Sequence, residues 1–193
     1  STNPELESQQ QRYYVFDQGI ARNYFQTRKS GQLFIPKVWP GDSVFVDFTL
    51  PAAREWWGGL HRAYTDNGIA GIWNDMNEPS DFVDQTGKNQ LDVVSFDEGE
   101  KSTHAKNRNV FALLMARATY EGLERLRPNQ RPYVITRAAY AGIQRYSTMW
   151  TGDTNSTWEA LALNVPMFTT LGLSGEPFAQ SVPRFLIAPV FRL

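Results

Sequence analysis

Apolar and polar positions alternate along this chain in short runs and helical repeats, and these mark out its elements. Residues 1–12 are polar, with Pro4 and a glutamine run, and read as a linker or free end. The apolar run 13–16 predicts a short strand. Pro36, Pro40 and Gly41 break up residues 31–46 as a loop. A helix is predicted over 50–67, with Pro51 in its first turn, Trp56, Leu60 and Tyr64 four apart, and Gly68 as its stop. Residues 69–73 predict a buried strand that ends at polar Asn74-Asp75. The polar, glycine-containing stretch 80–102 is long enough to be a functional loop or small subdomain. Val110, Leu113, Leu114 and Ala118 recur at helical spacing, predicting a helix over 104–126 before Pro128. Strands follow at 133–136, ending at Arg137, and at 147–151, ending at Gly152-Asp153. A short helix over 155–162 would be capped by Asn155 or Ser156, and 166–171 is the next strand expected.

Strands alternating with helices predict an α/β fold with a parallel sheet. Polar residues just past several strands are placed as barrel enzymes place their chemistry. About four strands are expected, whereas a full eightfold barrel takes roughly 250 residues. The expected architecture is therefore a partial (β/α)8 TIM barrel, about half of one. Its divisions are a polar segment 1–12 and a barrel unit 13–193, with 80–103 as a loop or small insertion.

Composition narrows the function classes. The chain has 193 residues, 41% of them hydrophobic and 20% charged, enough to bury a core. A net charge of −1 without a basic stripe argues against nucleic acid, and no apolar run reaches the roughly 20 residues of a membrane span. The absence of cysteine removes disulfides and thiolate metal ligands. With no basic-then-apolar signal pattern at the N-terminus, it leans towards the cytoplasm without fixing the compartment. Six Trp, eight Tyr and twelve Phe supply aromatic faces that either fill the core or stack on sugar rings. His61 and His104 read as packing or helix-surface residues rather than metal ligands. The acidic residues between 81 and 100 read as a solvated loop, since they lack calcium-loop spacing.

Two segments carry candidate chemistry. In Trp73-Asn74-Asp75-Met76-Asn77-Glu78-Pro79 a carboxylate ends a strand between apolar side chains. Locally, a catalytic Asp75 and a buried Asp75 satisfied by backbone donors stand level. In Arg137-Ala138-Ala139-Tyr140 and Met149-Trp150-Thr151-Gly152-Asp153 an arginine and a second carboxylate end later strands. They could equally form a structural ion pair.

Trp73 to Glu78 resembles the nucleophile signature of glycoside hydrolase family 31, the α-glucosidase and glucosidase II family. Lys37-Val38-Trp39-Pro40-Gly41 with Val46-Asp47-Phe48-Thr49 resembles the segment before it, and Arg137 through Asp153, then Trp158, the acid/base segment. The resemblance covers roughly residues 13–179. It implies Asp75 as nucleophile and Asp153 as general acid/base, Arg137 as a hydrogen-bonding partner of the sugar, and Trp39, Trp73, Met76 and Trp150 as lining of the sugar subsite. It implies neither cofactor nor metal. A retaining α-glucosidase acting on terminal α-linked glucose of oligosaccharides is expected, since α-xylosidase relatives carry Phe-Gly where Met76 stands. The alternatives are an α-glucosyltransferase of the same family or a catalytically incomplete carbohydrate-binding fragment. Arg137 is expected nearer the charge of Asp75 than the proton of Asp153.

The chain also departs from the family pattern. Gly152-Asp153-Thr154-Asn155 replaces Gly-Asp-Asn, and Gln180-Ser181-Val182-Pro183-Arg184-Phe185 stands where an Asp-X-Gly-Gly-Phe run is expected. An early barrel aspartate and a later histidine of the subsite have no counterpart. Little or no activity is expected of these residues alone. Open sheet edges and the apolar stretch 184–193 predict an oligomeric or poorly soluble chain.

Overall fold

The structure, a computed structural model, describes residues 13–84 and 86–184. The polar segment 1–12 and most of the apolar tail expected at 184–193 lie outside the described residues. Helix α1 (Tyr14–Ala21) is followed by the small hairpin β1 (Lys37–Val38) and β2 (Gly41–Asp42). Helices α2 (Pro51–Leu60) and α3 (Arg62–Thr65) lead to strand β3 (Ile72–Asn74). A second hairpin, β4 (Val94–Ser95) and β5 (Ser102–Thr103), precedes α4 (His104–Asn107) and α5 (Phe111–Leu126). Strand β6 (Val134–Thr136), strand β7 (Thr148–Asn155), helix α6 (Trp158–Leu173) and strand β8 (Ala179–Arg184) complete the order.

Strands β3, β6, β7 and β8 form one sheet in that order, every pair parallel. This is the partial (β/α) barrel that the alternation predicts. Its register sorts the side chains. Ile72 and Asn74 pair with Val134 and Thr136, and Asn74, Val134 and Thr136 are buried. On that face the Asn74 amide donates to Thr119 Oγ1 of α5 at 3.3 Å. Trp73, Ile135 and Thr148 share the other face, because side chains alternate along a strand.

The main core lies beside the sheet, between α2, α5 and residues 25–48. Phe25, Phe34, Phe45, Phe48, Trp56 and Phe111 are buried there in edge-on and tilted ring contacts 5.2 to 6.2 Å apart. Helices α2 and α5 meet backbone to backbone. A Cβ added at Gly122 would stand 2.3 Å from Gly58 Cα, so only glycines allow this crossing.

Several elements differ from expectation. Residues 14–16 begin helix α1 rather than a strand, with Tyr13 as its extended N-cap, since Phe16, Gly19 and Ile20 repeat at helical spacing. Phe16 stacks on Phe25 at 5.8 Å, and Gly19 packs against the same ring. The helix expected over 104–126 is interrupted at Arg108–Val110 by a 3-10 turn, beside Asn107, which turns its amide to Ser102 Oγ at 2.7 Å. The strand expected at 166–171 is helix: α6 runs through Pro166 and is capped by Thr157, which accepts from Ala160 N at 3.2 Å. Parallel neighbours β7 and β8 require a crossover connection, and α6 supplies it. The strand expected over 69–73 is short, and Trp73 on it is 61% exposed rather than buried.

The stretch 80–102 is docked rather than loose. Asp47 Oδ2 accepts from Phe96 N at 2.6 Å, Thr49 Oγ1 accepts from Asp97 N at 2.8 Å, and the Gln26 amide reaches Ser95 Oγ at 3.1 Å. No helix among the described residues is long and apolar enough to cross a membrane.

His104 behind this stretch has a testable consequence. It is 1% exposed, its ring lies 6.1 Å from Phe111, and neither ring nitrogen meets a hydrogen-bond partner among the described residues. Burial, helped by the charge of Arg108, lowers its pKa from 6.5 to about 4. The unfolded chain therefore takes up this proton first. The contribution of neutral His104 is whole above pH 6.5 and is lost as pH falls towards about 4, on the order of 3 kcal/mol in all. His104→Leu should flatten the fall in urea-melt stability between pH 7 and pH 5. It should also raise stability at pH 7 by about 1 kcal/mol or more, because it removes two unmatched buried nitrogens. An unchanged pH slope would show that His104 is not the titrating group.

Candidate active site

The side chains that alternation places on the Trp73 face include the candidate residues Asp75 and Arg137. Asp75 is two residues past Trp73, and Arg137 two past Ile135, so both continue that face beyond the strand ends. Asp153 arrives by a different route. Trp150 pairs with Gln180 but Asp153 with Val182, three residues on one strand against two on the other. This one-residue bulge holds Gly152 at φ +82°, a left-handed conformation that favours glycine. Without the bulge, Asp153 would face away from Trp150. With it, Asp153 shares the face of Trp150, Trp73 and Asp75. A Cβ at Gly152 would stand 4.0 Å from Arg137 Cδ, which places the bulge against the arginine.

Arg137 is the hub. Its Nη1 lies 3.1 Å from Asp75 Oδ1. Nε and Nη2 donate to Glu78 Oε1 and Oε2 at 2.6 and 2.9 Å, a two-pronged pair, and Nη2 also donates to Ser80 Oγ at 3.0 Å. Hydrogen bonding to Glu78 holds the arginine above its ordinary pKa against the opposing effect of burial, and the charges of Glu78, Asp75 and Asp153 add to it. Burial pushes the Glu78 carboxyl up, but hydrogen bonds from Arg137 and Ser80, with the guanidinium charge, outweigh it and hold the group below its usual range.

Met76 adopts φ +59°, rare for a side chain of its size. That turn points its own N–H at Asp75 Oδ1, 2.7 Å away, and brings its sulfur within 3.1 Å of Arg137 Nη2. Oδ1 of Asp75 thus faces two donors.

The aromatic candidates separate. Trp73 and Trp150 meet edge to face at 5.0 Å, but Trp150 is 1% exposed and lies behind Trp73. Trp39 is 80% exposed and leans on Phe82 at 4.8 Å, outside the Arg137 hub. Sequence reasoning gave no role to Glu78, Ser80 or Asn77. A signal was present in the acidic residue three after Asp75, but its partner is an arginine 59 positions away.

Carboxylates and an arginine gathered past the C-terminal ends of adjacent parallel strands stand where barrel enzymes keep their catalytic groups. The sequence model of the glycosyl hydrolases family 31 TIM-barrel domain matches residues 1–181. The chain belongs to glycoside hydrolase family 31. Alpha-glucosidase 2 of Bacillus thermoamyloliquefaciens is 45% identical over 166 residues, covering 86% of this chain and 21% of that relative. The alpha-glucosidase of Saccharolobus solfataricus is 37% identical over 187 residues, covering 87% and 27%. The crystal structure of a glucosidase II alpha subunit, bound to DNJ, superposes with a TM-score of 0.79 at 36% identity, covering 89% of this chain and 19% of that one. The chain spans about a fifth to a quarter of the length of these proteins.

Proposed function

We propose that this chain supplies the two catalytic carboxylates of a retaining α-glucosidase that releases terminal α-linked glucose from oligosaccharides. The observation that carries this reading is the convergence of Asp75, Arg137 and Asp153 on one face of three adjacent strands. Asp75 attacks the anomeric carbon through the oxygen not bound by Arg137 and Met76. Asp153 donates its proton to the departing glycosidic oxygen as the C–O bond breaks. The resulting glycosyl ester on Asp75 is then attacked by water. Asp153, now ionised, takes the water's proton, and Asp75 leaves as carboxylate. Arg137, fixed by Glu78, holds Asp75 in its attacking geometry; Trp73 and Met76 line the subsite, Trp150 backs Trp73, and Trp39 offers an outer stacking face. In this reading the barrel unit starts at residue 13, and 80–103 is an insertion fastened to it.

The alpha-glucosidase relatives and the glucosidase II structure support the substrate class. A mechanism-based reagent such as 5-fluoro-α-D-glucosyl fluoride should leave one glucosyl adduct, mapped to Asp75 by peptide sequencing. An adduct on another residue, or turnover with Asp75 unlabelled, would overturn the assignment. The exposed faces of Trp73 and Trp39 favour a second reading, in which sugar stacks here without being cleaved. Binding of an α-glucoside with no release of its aglycone would support that reading instead.

A further inference from the structure

We infer that Asn77 is a positioning residue, which sets the aim of Arg137 from beneath and, on the reading above, the approach of Asp75 to the sugar. Asn77 is 2% exposed, and its amide is turned to Thr136 and Ala138 rather than to Arg137 or Asp75. Its amide nitrogen donates to Thr136 Oγ1 at 2.8 Å, and its amide oxygen accepts from Ala138 N at 3.1 Å. Thr136 Oγ1 in turn donates to Ala138 O at 2.8 Å. These three bonds close a ring through the residues on either side of Arg137. The Arg137 N–H completes the hold by donating to Asn74 O at 3.1 Å.

This ring fixes the backbone from which the guanidinium projects. A long arginine side chain has many rotamers, and a fork that must meet Glu78 and Asp75 together tolerates little movement of its Cα. The orientation of the Asn77 amide is also forced, because a backbone N–H on Ala138 can meet only its oxygen. Asn77 and Thr136 are both buried, so their side chains find their partners within the ring rather than in solvent. Asn77 and Glu78 are adjacent in the chain and act on Arg137 at opposite ends, Asn77 through the flanking residues Thr136 and Ala138 and Glu78 through the guanidinium itself.

The test uses the full-length protein labelled with ¹⁵N-arginine. The Nε–H resonance of Arg137 is assigned by its loss in Arg137→Lys. In the unaltered protein this proton should be shifted and slow to exchange, because it sits on Glu78. In Asn77→Ala the resonance should move to the solvent-exposed position and exchange fast, while amide protection of Val134 and Ile135 persists. The rate of adduct formation at Asp75 should fall about 10- to 100-fold, the scale on which small misplacements act. In an Arg137→Ala background the same Asn77 change should cost less than about twofold. If Asn77→Ala does not fold, Thr136→Val removes the same bond from the other side with an isosteric side chain and should give the same shift. An unchanged Arg137 resonance in the folded variant would overturn the inference, as would an equal cost in both backgrounds. Should Asp75 never be labelled, the resonance still decides the role of Asn77, while the proposed reaction fails separately.

Discussion

Asp75→Gly and Asp153→Gly in the full-length protein should give glucosyl azides of opposite configuration when azide is added to a 4-nitrophenyl α-glucoside. Removing Asp75 leaves a gap on the face from which the nucleophile attacks. Azide can enter that gap and displace the leaving group once, so the product is the inverted β-glucosyl azide. Hydrolysis without azide should fall by roughly four orders of magnitude, the scale of losing one member of a catalytic constellation. Removing Asp153 has a different signature. Nitrophenolate departs with little help from an acid, so the ester on Asp75 still forms. Water then lacks its base, and azide, which needs none, attacks from the leaving-group side to give the retained α-glucosyl azide. The anomeric proton coupling of each product reads the outcome. Exchanged configurations would exchange the two roles, and no azide product from either variant would remove the two-carboxylate mechanism.

The second large effect separates two neighbouring glycines. Gly58→Ala and Gly122→Ala should each destabilise the fold, while Gly59→Ala should stabilise it. A Cβ on Gly58 would meet Gly122 Cα at 2.8 Å and Ala118 O at 2.9 Å, both backbone atoms that cannot rotate away. At Gly122 the nearest atom is Gly58 Cα at 2.3 Å, and α2 and α5 must part to admit it. Overpacking of this kind costs about 1–3 kcal/mol and sometimes more, against about 1 kcal/mol regained from helix propensity. With the 2.3 Å clash placing Gly122→Ala at the upper end of that cost, the net loss expected is about 2 kcal/mol, or roughly 4–8 °C in Tm for a chain of this size. Gly59 has nothing within 4 Å and lies in the same helix, so alanine there should add about 0.5–1 kcal/mol. The loss at Gly122 should also reach the site. Thr119, one turn earlier on α5, binds Asn74 and accepts from Trp57 Nε1 at 3.1 Å. Equal melting temperatures for all three variants would refute the close crossing.

Elements with a strong local signature were legible from the chain alone. Pro51 opens α2 as its missing N–H allows, and the apolar repeat around Leu113 and Ala118 marks α5. The parts that failed did so where tertiary demands overrode local pattern. The apolar run after Pro166 has strand-like composition, yet the crossover between β7 and β8 makes it helix. Residues 13–16 were too short a window to show the repeat that Gly19 and Ile20 complete.

Within the site, the order of residues determined which groups stand at the strand ends. A strand alternates strictly, so Asp75 after Trp73 and Arg137 after Ile135 follow from the chain once the strands are placed. The family signature likewise belongs to the sequence. The side that Asp153 faces does not, because it stands three positions after Trp150 and only pairing with β8 reveals the extra residue. Nor does the sequence distinguish Gly58 from Gly59, or tell that Trp150 lies behind Trp73 and that Glu78 holds Arg137. Those facts arise from contacts between segments far apart in the chain. Their partners are chosen by strand register and helix crossing, which no local stretch of sequence encodes by itself.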